Sequence, residues 1–155
     1  MRDLTCCFTG HRRLPPFEVE ELEARLERTL RRLIRDGFTY FGAGGAVGFD
    51  MLAAKTVLRL REEFAHIRLI LVLPCENQTD GWSVADKAEY ERIRCAADKV
   101  VCLEKTYTDD CMKRRNRHLV DHSAVCVCYF KEYGGGTGYT VQYAEKQGVE
   151  VINIA

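Results

Sequence analysis

The stretch "SAVCVCYFKEYGGGTGYTVQ", Ser123 to Gln142, runs from alternating small and β-branched residues through a glycine cluster into residues of helical period. Four of the chain's twelve glycines, Gly134, Gly135, Gly136 and Gly138, fall within five positions of it. Glycine weakens any strand or helix, so such a cluster serves either a turn or the close approach of a ligand to the backbone. An apolar strand, a glycine-rich loop and a helix make up half of a βαβ unit, and the remainder of the chain repeats that pattern.

Working outward, strand-like runs lie at Leu4–Thr9, Phe38–Gly42, Ile67–Leu73, Lys99–Leu103, Ser123–Phe130 and Val149–Ile154. Helical periods alternate with them. The first, Phe17–Arg35, puts Val19, Leu22, Leu26, Leu30, Leu33 and Ile34 on one stripe and stops at Asp36-Gly37. Others are read after Asp50 to about Phe64, with Asp50 as the N-cap, and over Val84–Ala97, Cys111–Asp121 and Thr140–Gln147. This alternation predicts an α/β domain with a mostly parallel sheet of about six strands. At 155 residues the chain suits one domain, 1–155, with a full hydrophobic core.

Lys+Arg and Asp+Glu balance at 23 each, which argues against nucleic acid or an anionic membrane as a partner recruited by a global field. No apolar stretch approaches the ~20 residues of a membrane span and no secretory h-region follows the N-terminal charges, so a cytoplasmic location is expected. Of the eight cysteines, Cys6, Cys7, Cys102, Cys126 and Cys128 fall in apolar runs, where free thiols act as small buried hydrophobes. With no C-x2-C pair, no metal site is expected.

In open parallel sheets, ligands bind beyond the carboxyl ends of the strands. The loops that follow strands hold most of the unusual residue choices. "TGHRR" carries Gly10, His11 and Arg12, with Arg13 read as a solvated outer charge. "GAGGAVGFD" carries Gly44, Gly45, Gly48 and Asp50 at a helix entry, a setting suited to phosphate, although Val47 breaks the dinucleotide fingerprint. "PCENQTDGW" supplies Glu76 and Trp82, the latter able to stack on a base or to cover the core. "KRRNR" at Lys113–Arg117 offers Arg115 and Asn116, with Lys113 on the solvated side. Gly135, Gly136, Thr137 and Gly138 open the last helix with amides and a hydroxyl suited to phosphate or ribose. His118 and His122 stand four apart without the glutamate of a zinc-protease helix, and are read as surface or interface residues.

The ordered set "FTGHR" (8–12), "GAGGAVGFDMLAA" (42–54), "LPCENQTDGW" (73–82), "ADKV" (97–100), "RNRHLVDHSA" (115–124) and "GGGTGYTVQYA" (134–144) resembles the YpsA/YoqJ-like branch of the SLOG superfamily. That group also contains the LOG phosphoribohydrolases and DNA-processing protein A. The resemblance implies a Rossmann-like three-layer sandwich, a nucleotide or nucleotide-derived ligand such as an NAD-derived or phosphoribosyl species, and a homodimer. No further cofactor is implied. LOG enzymes carry P-G-G-x-G-T-x-x-E; with Gly135, Gly136 and Gly138 on the family glycines, Tyr139 stands for the threonine, and Val141 and Gln142 occupy the acidic positions. The expected catalytic carboxylate is absent from its place, which leaves Asp50 and Glu76 as candidates for acid–base work. Similarity to DNA-processing protein A lies in "GFD" (48–50) and "RRNR" (114–117). Three readings are carried forward: a nucleotide-binding sensor, a LOG-like N-glycosidic hydrolase acting through Asp50 or Glu76, and a single-stranded nucleic-acid-binding module.

Overall fold

The computed structural model describes residues 1–131 and 135–155; Gly134, part of the predicted glycine cluster, lies outside them. Six strands alternate with five α-helices: β1 (Thr5–Gly10), α1 (Val19–Arg35), β2 (Tyr40–Ala43), α2 (Phe49–Glu63), β3 (Arg68–Leu73), α3 (Val84–Ala96), β4 (Lys99–Cys102), α4 (Cys111–Asp121), β5 (Val125–Tyr129), α5 (Gly135–Lys146) and β6 (Glu150–Asn153). One sheet holds all six in the order β4-β3-β2-β1-β5-β6, and every neighbouring pair is parallel.

The alternation of side chains along each strand sorts them between two helix layers. Cys6 and Phe8 of β1, Phe41 and Ala43 of β2, Leu69, Leu71 and Leu73 of β3, and Val125 and Val127 of β5 face α1, α2 and α3. Cys7, Val72 and Cys126 face α4 and α5, through Leu119, Val120 and Ala144. A right-handed crossover toward one sheet edge lies on one face, and a crossover toward the opposite edge lies on the other. The chain therefore changes face where it leaves β4 for β5, and β1 beside β5 becomes the switch point.

The α1 stripe is buried through Leu22, Leu26, Leu30, Leu33 and Ile34, while Val19 is only half-buried. The chain enters α1 through a 3-10 turn at Pro16–Glu18 that leaves Phe17 exposed, so the helix begins two residues later than the period predicts. Asp50 is not a cap. Gly48 holds the N-cap position and Asp50 lies within the first turn of α2. The α5 helix begins at Gly135 rather than Thr140, because burial of Thr137, Gly138 and Thr140 outweighs the low helical preference of glycine. The Thr140 hydroxyl donates to the Gly136 carbonyl at 2.9 Å within that turn.

Each of the eight cysteines is free; Cys6, Cys7, Cys75, Cys111, Cys126 and Cys128 are buried and Cys95 is exposed. Cys102, expected to be buried, is exposed because β4 is an edge strand whose residues are largely open to solvent. No helix is long and apolar enough to cross a membrane among the described residues.

Candidate functional site

The loops after β1, β2, β3 and β4 meet the start of α5 above the switch point, where the first two interlock. The Phe49 N–H, at the start of α2, donates to the His11 carbonyl at 3.1 Å. Gly48 makes that contact possible: its φ is +84°, and a Cβ there would stand 2.2 Å from the Arg12 carbonyl oxygen. Such an approach admits only glycine. The His11 ring lies edge-on to Tyr129, with centroids 5.6 Å apart, and its Nε2 accepts from the Lys131 N–H at 3.0 Å. That bond places the proton of the neutral ring on Nδ1.

Arg115 crosses from α4 and packs flat on the β2–α2 loop. It is 3% exposed, donates to the Gly44 carbonyl, and its Nε donates to Asn116 Oδ1 at 2.8 Å. A Cβ on Gly44 would come within 2.5 Å of the guanidinium. The glycines predicted for phosphate at Gly44 and Gly48 thus accommodate the protein's own arginines. Gly45 lies in the same interior, beside Leu73, Tyr90 and Gln78.

Asp50 is 8% exposed, and its Oδ2 accepts from the Ala46 N–H at 3.3 Å. Burial pushes its carboxyl above the ordinary carboxylate range, opposed first by the positive charge of Arg115, then by the Ala46 N–H and Arg12. The same burial lowers the Arg115 guanidinium, with Asp50 as the leading counterweight. The buried carboxyl is thereby shifted toward its protonated form.

These loops enclose a cavity of about 680 Å³. Thr9 and Gly10 at the end of β1, with His11 and Arg12 after it, form one part of the wall, and Ala46 and Asp50 the part that follows β2. Asn77, Gln78, Asp80 and Trp82 come after β3, and Tyr107 after β4; Met112, Arg115 and Asn116 stand on α4, and Gly136 and Thr137 begin α5. Trp82 is half-buried and edge-on to Tyr90, with centroids 5.6 Å apart, so it covers the core and lines the cavity at once.

Nine of the predicted site residues therefore meet in one wall: Gly10, His11, Arg12, Asp50, Trp82, Arg115, Asn116, Gly136 and Thr137. Gly44, Gly45, Gly48, Gly135 and Gly138 lie outside it, as does Glu76, which is exposed. Gly10 serves packing as well as the wall, since a Cβ there would collide with Phe49 at 2.5 Å. At Gly136, in contrast, a Cβ would have no contact within 4 Å among the described residues beyond its chain neighbours and its own helix backbone. Sequence reasoning missed Asn77, Gln78 and Asp80, although their loop was singled out and side-chain amides after a strand were a readable signal. For Tyr107 and Met112 no such signal exists.

The basic run on α4 is largely engaged within the protein. The Lys113 ammonium stands 4.9 Å from the centroid of the Tyr139 ring, Arg117 donates to the Tyr139 hydroxyl at 3.2 Å, and Arg114 pairs with Glu104. His118 and His122 stack at 4.2 Å, and the cleft they line, beside Lys99 and Val101, is separate from the cavity. Among the described residues, no group of three or more His, Cys, Asp or Glu is placed to hold a metal ion.

A family model described as the YspA SLOG family (YpsA) matches residues 15–153. The chain is 28% identical over 133 residues to a UPF0398 protein of Bacillus thuringiensis (strain Al Hakam), covering 84% of this chain and 72% of the relative. It is also 28% identical over 139 residues to the SPbeta prophage-derived protein YoqJ of Bacillus subtilis (strain 168), 81% of each. Among solved structures, DNA processing protein A of Helicobacter pylori, described with a single-stranded DNA binding mode, superposes with a TM-score of 0.68 at 17% identity, over 97% of this chain and 64% of that one. A structure of TM1055 matches with a TM-score of 0.57 at 22% identity, over 95% and 71%. At these identities the two structures establish the shared fold.

Proposed function

Because the chain belongs to the YspA SLOG family, we propose that its cavity binds a nucleotide or nucleotide-derived small molecule, in the manner of a sensor. The observation that carries this reading is the convergence of four strand-following loops on one cavity of about 680 Å³ at the switch point of a parallel sheet. Arg12, the Thr137 hydroxyl and the first turn of α5 supply cationic and hydrogen-bond donors for a phosphate. Asn116 and Asp50 are available to ribose hydroxyls, and Trp82 to a base.

Two competing readings each have one observation in their favour. Asp50, buried in the wall with a carboxyl held toward its protonated form, suits an N-glycosidic hydrolase better than the exposed Glu76 does. The fold shared with DNA processing protein A favours single-stranded DNA, and a balanced net charge does not by itself remove that ligand. This chain spans only 64% of the Helicobacter protein, so a role of the whole of that protein is not carried over.

A thermal-shift series with AMP, ribose 5-phosphate, NAD, ADP-ribose and a single-stranded oligonucleotide, assayed for released base in the same samples, separates the three. Ligand at 100 times its Kd stabilises the native state by about 2.7 kcal/mol. A shift with a mononucleotide or NAD-derived species and no free base supports the sensor. Free base, abolished in Asp50→Asn, turns the reading to a hydrolase. A response to the oligonucleotide alone, falling steeply with salt through counterion release, replaces both. The proposal includes a cytoplasmic homodimer, tested by sedimentation velocity; eight free thiols fit a reducing compartment.

A further inference from the structure

Asn77 and Gln78 line the cavity, and among the described residues their carboxamide oxygens, Oδ1 and Oε1, have no hydrogen-bond partner, each with under 1 Å² of exposed surface. Gln78 as a whole is only 7% exposed. Each amide nitrogen faces an acceptor, and Gln78 also lies within hydrogen-bonding reach of the Tyr90 hydroxyl. Gln78 Nε2 donates to the Gly44 carbonyl at 3.5 Å, and Asn77 Nδ2 donates to the Asp80 carboxylate at 3.3 Å. Turning either amide over would oppose two acceptors, so the oxygens are the groups left unpaired. A buried carbonyl without a donor is costly, and a ligand N–H removes that cost.

The wall is polarised along the sheet. Arg12 and the start of α5, at the β1 and β5 ends, carry donors; the loop after β3 carries the two unpaired carboxamide oxygens and the Asp80 carboxylate. With the order β3-β2-β1-β5, the start of α5 stands about three strand spacings from the β3 end, roughly 14 Å, and the β1 end with Arg12 about two, roughly 9–10 Å. The shorter separation matches the reach of a mononucleotide from phosphate to base edge. Two aromatic side chains, Trp82 and Tyr107, line the cavity with the acceptors.

We infer that the β3–α3 loop is a base-reading element, in which the Asn77 and Gln78 carbonyls accept from the exocyclic NH2 of an amino-bearing ring. The inference rests on the nucleotide reading above and adds the class of base: aminated rings, adenine or cytosine in type, in preference to the same rings without the amino group. The occupant is a free nucleotide rather than a base within a strand.

The test is calorimetric titration of the wild-type protein with matched pairs that differ at the amino group: AMP against purine riboside 5′-monophosphate, and CMP against its 4-deaminated pyrimidinone analogue. Removing the amino group is expected to weaken binding about tenfold in at least one pair, since it strands buried acceptors. In Gln78→Met, whose melting point shows that it folds, that ratio is expected to fall toward one, with the deaminated nucleotide bound about as before. Equal wild-type affinities within both pairs overturn the base reading and leave nucleotide binding standing. Binding of none of the four nucleotides overturns the inference, while a response to NAD, ADP-ribose or ribose 5-phosphate keeps the nucleotide reading; binding of an oligonucleotide alone overturns both. A ratio that survives in Gln78→Met and again in Asn77→Leu assigns the discrimination to other residues and also overturns the inference.

Discussion

Gly48 and Gly136 differ in what a methyl group would meet. At Gly48 it would strike the Arg12 carbonyl at 2.2 Å on a backbone with φ of +84°; at Gly136 it would meet nothing within 4 Å among the described residues outside its own helix backbone. Gly48→Ala is therefore expected to lower unfolding free energy by about 2–3 kcal/mol through clash and backbone strain. Gly136→Ala should stay within about 1 kcal/mol of wild type, on the stabilising side, because alanine is the better helix former. Urea denaturation of the two variants checks the contrast. Asp50 gives a second residue-scale prediction. Its folded pKa lies above the unfolded value, so in the window that opens near the ordinary aspartate pKa of about 3.9 the folded state holds more protons than the unfolded state. Its contribution to stability is then full below that window and declines as pH rises through it. Glu18, Glu27, Glu63 and Glu89 are held low chiefly by Lys131, Arg59, Arg31 and Arg92 respectively, and act in the opposite sense. The difference between wild type and Asp50→Asn isolates the aspartate: relative to the variant, wild-type stability should fall as pH increases above about 4.

At the scale of elements, α1 was the most legible, because a stripe repeating every three to four residues has only one regular structure that can bury it. Leu26 and Leu30 are fully buried within that stripe, and Leu26→Ala is expected to cost about 2–5 kcal/mol, measured as a drop in the urea midpoint at unchanged slope. The start of α3 was equally readable. Ser83 Oγ accepts from the Asp86 N–H at 3.1 Å, and Ser83→Ala should cost about 1 kcal/mol. The starts of α2 and α5 were less legible. Asp50 has the residue type of a cap but serves as a buried carboxylate, and glycines that lower helix propensity begin α5 because tertiary burial outweighs the local preference.

For the whole molecule, the distribution of thiols gives a direct probe of the packing. A water-soluble thiol reagent should react rapidly with about two groups, Cys95 and Cys102, and with all eight only after denaturation. Burial pushes Cys128 up to about 12 and raises Cys6, while Cys126 is raised first by its hydrogen bond with Cys7, so these thiols resist forming the reactive thiolate while they stay packed. The parallel α/β architecture, and the strand-following loops as the candidate site, were legible in the sequence alone, since both follow from periodicity and from where the chain places glycine, arginine and amide side chains. Only the tertiary structure decided that Gly44 and Gly48 make room for Arg115 and Arg12, that Glu76 lies outside the wall, and that Asn77 and Gln78 stand in it with unpaired oxygens. The physical reason is range. Periodicity is set between residues three or four apart, whereas the contact between Gly44 and Arg115 joins positions 71 apart and exists only once β1, β2, β3 and α4 have packed.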